Sequence, residues 1–222
     1  MPGAWHGPYH LRLLVDELAG LDVHTVALPS SGDDPATLGD MYADAKVIAA
    51  AAAAIDGPVV VMAHSYGGIP TTQALSRARN VQRIIYLAAF QLDAEQSLLS
   101  VSGSPETWAK MHEIDGVVHH LEHKSPLEAF YNDVDSTLAE QALAKLGYLS
   151  YAAVGQPLTE VAWKTIPSTY IICEADVAIP ASKQEEFAKR ANRIHRLNTS
   201  HSPFLSQPAS LAQLIRQELE SR

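Results

Sequence analysis

Apolar residues along this chain follow two rhythms, short unbroken runs and longer stretches with apolar positions three and four apart, and the rhythms alternate as they do when strands of a parallel sheet alternate with helices. Residues 9–21 carry Leu11, Leu14, Val15 and Leu18 at helical spacing, 23–28 read as a strand, and the alanine-rich 37–55 predicts a long helix. The run Pro58-Val59-Val60-Val61-Met62 predicts a buried strand, and Ile69 to Leu75 can open a helix with Pro70 near its first turn, where proline is tolerated. Residues 81–88 are the next strand. The rhythm then breaks, and 105–111, 126–131 and 136–146 predict short amphipathic helices. It resumes with strands over 168–173 and 193–197 and closes with a helix over 208–220. The expected fold class is α/β, a doubly wound, mostly parallel sheet whose core lies in 1–90 and 166–222, with a helical cap inserted at 91–165.

Between the buried strand and the helix lies Ala63-His64-Ser65-Tyr66-Gly67, followed by Gly68. A serine held at a sharp strand-to-helix turn projects its hydroxyl from the top of the sheet, and the strained backbone needs small residues two before and two after it. Ala63 and Gly67 meet that need, Ala63 replacing the usual glycine by the smallest possible change. Ser65 is the candidate nucleophile. A serine alone is weakly nucleophilic and requires a base and an orienting acid, which follow later in the chain in this architecture. The strand over 168–173 runs into Glu174-Ala175-Asp176, and Asp176 is the candidate acid, with Glu174 a rival and capping of the helix near Pro180 the alternative role. The strand over 193–197 runs into Asn198-Thr199-Ser200-His201, and His201 is the candidate base, ahead of His6, His64 and His195 among the ten histidines. Backbone N–H groups aimed at the developing oxyanion are the remaining requirement, and those of Tyr66 and Ala4, in the loop Pro2-Gly3-Ala4-Trp5-His6-Gly7, are the candidates.

Taken together, Gly3-Ala4-Trp5-His6-Gly7, His64-Ser65-Tyr66-Gly67-Gly68, Ala129-Phe130-Tyr131-Asn132-Asp133, Pro167-Ser168-Thr169-Tyr170 and Ser200-His201-Ser202-Pro203-Phe204 resemble the α/β-hydrolase superfamily. Within it they resemble the branch of hydroxynitrile lyases, plant methyl-ester esterases and bacterial carboxylesterases, over nearly the whole chain. The resemblance implies a triad of Ser65, Asp176 and His201, an oxyanion hole from Ala4 and Tyr66, a helical cap and no cofactor. Lyases of this branch carry a lysine after the catalytic histidine and a threonine or asparagine in the oxyanion loop, where this chain has Ser202 and Gly3. A cyanide leaving group would then lack a charge partner in a dry pocket, so hydrolysis of small, largely apolar carboxylic esters is the favoured expectation. A non-catalytic, small-molecule-binding relative is the runner-up and a lyase the third reading. The resemblance also implies a central strand before the oxyanion loop, yet only Met1 and Pro2 precede Gly3, so a slot is expected in the sheet. A misassigned start codon is favoured over a truncation or a strand lent by a partner chain, and about six to ten further residues, one ordinary strand, should restore stability.

Composition narrows the partners. With 222 residues, 47% hydrophobic and 18% charged, the chain can bury a sizeable core. A net charge of −9 without Lys or Arg clusters argues against nucleic acid and anionic membranes and suits a neutral small molecule; a homodimer is left open. The single cysteine, Cys173, cannot form an internal disulfide and reads as a core thiol, and the absence of a leader or apolar span makes the cytoplasm the default compartment. His119-His120-Leu121-Glu122-His123 contains the H-x-x-E-H spacing of some zinc sites, but Val117-Val118 and Pro126 favour extended structure over a helix, so no metal is expected. The aromatics Trp108, Tyr131, Tyr148, Tyr151 and Trp163 either line the pocket from the cap or pack the cap's own core.

Overall fold

The computed structural model describes residues 1–220. The first half of the core holds α1 (Arg12–Glu17), β1 (Ser31–Gly32), α2 (Met41–Ala53), β2 (Val59–His64), α3 (Gly68–Ala74) and β3 (Val81–Leu87). The insertion contributes α4 (Leu98–Ser102), β4 (Ala109–Ile114), β5 (Val117–His123), α5 (Pro126–Tyr131), α6 (Ser136–Leu143), β6 (Tyr148–Ser150) and α7 (Tyr151–Gly155). The second half of the core supplies β7 (Ser168–Cys173), α8 (Ala181–Ala188), β8 (Arg193–Leu197), α9 (Pro203–Ser206) and α10 (Pro208–Glu220).

The strands β2-β3-β7-β8 form one parallel sheet in that order, with Ile84 opposite Val61, Thr169 opposite Ile85 and His195 opposite Ile171. Helices cover both of its faces, which is why Ile84, Ile85, Tyr86 and Leu87 of β3 and the whole of β7 are buried and why these strands read as unbroken apolar runs. Their polar atoms are paired: Tyr86 Oη lies 2.7 Å from Thr72 Oγ1, and Tyr170 Oη donates to the Ala89 carbonyl at 2.7 Å. Cys173 is buried at the end of β7, and burial pushes its thiol up to about 12. At the far end Glu218 of α10 accepts from Thr169 Oγ1 at 2.6 Å and meets His195 and Arg83 at 2.8 and 3.3 Å, fastening the last helix to three strands. No helix among the described residues is long and apolar enough to cross a membrane.

Two expectations fail. The cap is not helical but mixed: β6, β5 and β4, joined at the β6 edge by β1 of the core, form an antiparallel sheet, accompanied by short helices. Residues 105–111, expected as a helix, are a single 3-10 turn over Pro105–Thr107 leading into β4. The hairpin β4–β5 turns at Asp115-Gly116, both at positive φ (54° and 76°), the dipeptide that suits a tight hairpin turn. The H-x-x-E-H stretch lies in β5, extended as expected. Residues 23–28 form no strand. A strand exists only through its neighbours, and this segment has none: β2 ends the parallel sheet on that side, joined only by Met1, whose amine donates to the Met62 carbonyl at 2.6 Å while His64 N–H donates to the Met1 carbonyl at 3.1 Å. Between 23–26 and β2 lies a largely apolar cavity of about 380 Å³.

The Met1 amine is buried, and that burial lowers its pKa from 8.0 to about 5. Unfolded, it binds a proton below about pH 8; folded, it does so only near pH 5, so folding expels a proton between these values and stability falls as pH drops. The penalty approaches about 1.4 kcal/mol per pH unit. His6 and His64 share this sign, since burial lowers both, so the expected result is comparative. In denaturant titrations from pH 8 to 5.5 the N-acetylated chain loses clearly less stability than the free-amine chain; identical slopes would contradict the assignment.

Candidate active site

Ser65 sits where β2 ends and the turn into α3 begins, at φ +52°, a left-handed conformation that costs a non-glycine residue about 1–2 kcal/mol. The surroundings hold it there. Its carbonyl accepts the Phe90 N–H at 3.1 Å, and Ala63 before it is fully buried. At Gly67 a Cβ would strike the Pro2 carbonyl, so the small residue two positions after the serine is required by the loop that packs on it. Gly3 is required for the same reason, since a Cβ there would lie 2.8 Å from Ser65 Cβ and 2.9 Å from His64 Nδ1. Residues 3–5 therefore run directly over the serine, and Trp5 at φ +63° turns the chain away again. That loop is tied to the cap: Trp5 Nε1 donates to the Leu121 carbonyl at 3.0 Å and Gly147 N–H donates to the Trp5 carbonyl at 2.9 Å.

His201 and Asp176, on the loops after β8 and β7, are brought together, with His201 Nδ1 2.7 Å from Asp176 Oδ2 and both side chains almost fully buried. Asp176 Oδ1 also accepts from the N–H groups of Ala178 and Ile179 at 2.8 and 2.9 Å, and Oδ2 from Gln184 Nε2 at 2.9 Å. Four donors converge on it, an arrangement that suits a carboxylate. Nδ1 of His201 therefore carries the proton in the neutral ring, leaving Nε2 as the lone-pair nitrogen. Asp176 holds the turn before α8 and contacts His201 at once, but it does not cap that helix, whose N-cap Pro180 has no side-chain bond. Glu174 is exposed and faces Arg196 at 4.0 Å, outside the cluster.

The competing histidines have other partners. His195 pairs with Glu218. His6 Nδ1 donates to the Ala4 carbonyl at 2.7 Å and its Nε2 meets Tyr131 Oη at 3.0 Å; His64 Nε2 donates to the His201 carbonyl at 2.9 Å. Burial, reinforced by neighbouring imidazoles, holds both well below the usual histidine range, so they are neutral clamps on the loop over Ser65 and the His201 loop. Tyr66 turns its ring into the core, where Oη donates to Asp44 at 2.7 Å; burial raises Asp44 to about 6. Its backbone remains beside the serine.

Ser65, Tyr66, Ala4 and His201 line one cavity of about 380 Å³, bounded from the cap by Leu98, Trp108, His123 and Phe130 and from the core by Trp5, Phe90 and Ile179. Of the cap aromatics weighed from sequence, Trp108 faces this cavity; Tyr131 is held by His6, Tyr148 packs on His120, and Trp163 donates to the Leu92 carbonyl at 2.8 Å. The lining is largely apolar with few polar groups, the character of a small-molecule site. Lys183 lies at its edge, paired with Glu186 at 2.7 Å. Among the described residues no group of three or more His, Cys, Asp or Glu is arranged to hold a metal ion.

Sequence reasoning missed the supports. Gln184 spans β7 and the acid loop, its Oε1 accepting from Cys173 N–H at 3.0 Å. Asp133 accepts the Ser200 N–H at 2.8 Å and the Ser200 hydroxyl, fixing the residue before His201. Its presence in the Ala129 to Asp133 motif was the one available signal. Asp133→Ala leaves buried Ser200 donors unpaired and is expected to lower stability by about 1–3 kcal/mol and speed amide exchange in 199–202; an unchanged melting temperature and exchange pattern would contradict this role.

The sequence profile of the alpha/beta hydrolase family matches residues 1–214. The chain is 32% identical, over an alignment of 235 positions, to the alpha/beta hydrolase nvfD of Aspergillus novofumigatus, covering 97% of this chain and 93% of that protein. Among solved structures, a pyrethroid hydrolase from Sphingobium faniae superposes with TM-score 0.82 at 22% identity, covering 99% of this chain and 95% of the other. The methylesterase MES16 of Arabidopsis does so with TM-score 0.83 at 20% identity, covering 98% and 96%. At these identities the structural likeness establishes the fold.

Proposed function

The chain belongs to the alpha/beta hydrolase family, and from that premise we propose that it is a serine hydrolase cleaving small, largely apolar carboxylic esters through an acyl-enzyme. One observation carries the reading: a buried imidazole held by a carboxylate at 2.7 Å shares a cavity wall with a serine on a strained bend. In this mechanism the Ser65 hydroxyl attacks the ester carbonyl and His201 Nε2 takes its proton. The imidazolium is stabilised by Asp176 and returns the proton to the leaving alcohol. Water then enters and repeats the sequence on the acyl group. The N–H groups of Tyr66 and Ala4 receive the oxyanion, a contribution of about 3–4 kcal/mol per donor in related chemistry.

An apolar lining excludes water and favours an uncharged acyl or alcohol group. A solved neighbour bears the name methylesterase and another the name pyrethroid hydrolase; the first name supports the ester class and the second hydrolysis, neither a particular ester. Lys183 lines the cavity, and its exposed pairing with Glu186 leaves it a poor stationary partner for cyanide, which keeps a lyase behind the esterase reading.

Assayed on p-nitrophenyl butyrate, Ser65→Ala is expected to lose about 10³-fold or more in kcat, and Asp176→Asn a comparable amount with KM little changed. Glu174→Gln is expected to stay within about twofold. Persistent turnover by Ser65→Ala would end the serine mechanism. Failure of the unmodified chain to react with a fluorophosphonate would instead favour the ligand-binding reading, and cyanide release from mandelonitrile the lyase.

A further inference from the structure

One ring of the histidine-rich strand β5 lines the Ser65 cavity. Successive strand residues alternate faces, so His123 shares a face with buried Leu121, while His120 lies opposite and stacks on His112 with ring centres 4.6 Å apart. His123 is fixed where it stands. Trp5 meets it edge to face at 5.2 Å between ring centres, Phe130 packs against it at 4.6 Å, and the Ser125 N–H donates to its Nδ1 at 3.1 Å.

That last bond assigns the tautomer. A ring nitrogen that accepts carries no proton, so in the neutral imidazole the proton sits on Nε2, which meets no acceptor among the described residues. Burial, assisted by the nearby His201, lowers the pKa of His123 to about 4, so the ring is neutral at any ordinary assay pH. The other polar side chains of this wall are engaged or closed off. Ser102 donates to the Leu98 carbonyl at 2.7 Å, Lys183 pairs with Glu186 at 2.7 Å, and the Trp108 indole N–H, though also without an acceptor, is sealed from solvent. His123 is thus a stationary, uncharged donor in a largely apolar wall, and a donor in such surroundings is matched by a ligand oxygen better than by hydrocarbon. Phe130 lies between it and His201, with ring centres 4.6 Å from the first and 5.6 Å from the second. An oxygen that reaches His123 therefore belongs to a part of the ligand remote from the group at Ser65.

We propose that His123 Nε2–H is a specificity-determining donor that binds a second, uncharged oxygen of the substrate, so that the site prefers esters carrying a ketone, ether or further ester oxygen to hydrocarbon esters of the same length. The assignment rests on the ester hydrolysis proposed above. A carboxylate in that place would bury a charge against a neutral ring, and an ammonium would meet a donor where it needs an acceptor.

The test uses matched pairs: p-nitrophenyl hexanoate against its analogue with the penultimate chain carbon oxidised to a ketone, and hexyl acetate against the same change on the alcohol side. Each kcat/KM is divided by the rate constant of alkaline hydrolysis, which removes the ketone's own effect on reactivity. The unmodified chain is expected to favour the ketone in at least one pair by about fivefold or more. His123→Phe, which keeps an aromatic ring without an N–H, is expected to lose that preference while holding hydrocarbon-ester turnover within about twofold; His123→Gln, which restores a donor, should recover part of it. The Ser125 N–H lies near solvent, so its lost bond does not threaten the fold of either variant. No preference in the unmodified chain, or a preference that survives in His123→Phe, would overturn the proposal. So would an equal loss on both members of a pair, which marks a packing role alone. If no ester is hydrolysed, binding decides: methyl hexyl ketone, followed by tryptophan fluorescence, is expected to bind the unmodified chain about fivefold more tightly than His123→Phe. That outcome would overturn the ester reading and keep the donor, whereas equal binding would overturn the donor as well.

Discussion

A left-handed bend at Ser65 is the constraint around which the cavity and the loop over it are packed. Serine adopts φ +52° only under duress, and the compensation comes from what is packed around it: the β2–β3 ladder beneath, the Phe90 N–H on its carbonyl, and the Pro2-Gly3 chain laid over Gly67. Both contacts above the bend require glycine for steric room. The bend, the loop over it and the cavity wall are thus one packed unit, and a methyl group added at Gly3 would have to displace Ser65 itself.

A second layer of organisation is electrostatic. Histidines crowd the region: His6 packs against His64, and His64 against His201. Several cations there would repel one another in a dry interior, and burial resolves the conflict by keeping His6 and His64 neutral and assigning them to carbonyl oxygens. His201 alone among these three faces a carboxylate. Its neighbours serve as donors to the carbonyls of Ala4 and His201 and hold the loops on which those residues sit.

Legibility in the sequence followed the physics of burial. Interior strands β3 and β7, with β2, carry apolar runs that stand out, so the candidates Ser65 and Asp176 could be placed just after two of them; β8 is an edge strand, mostly exposed, and the candidate His201 was placed by its position after the last strand. The cap was misread because its hairpin strands are short and partly exposed, with Ile114 and Val117 in solvent, so alternation is weak; Asp115-Gly116 was the signal overlooked. Residues 23–28 have a strand's composition without a strand's neighbours, and no pattern within the segment reveals that. Gln184, Asp133 and His64 act through bonds between elements distant in the chain, where spacing carries no information.

Transient acylation of Ser65 tests the account most directly. Mixed rapidly with p-nitrophenyl butyrate, the protein should release a burst of p-nitrophenol equal to its own concentration, and quenched samples should carry one butyryl group on the peptide containing Ser65. Turnover with no burst and no acyl group, or with the acyl group on any other residue, would contradict it.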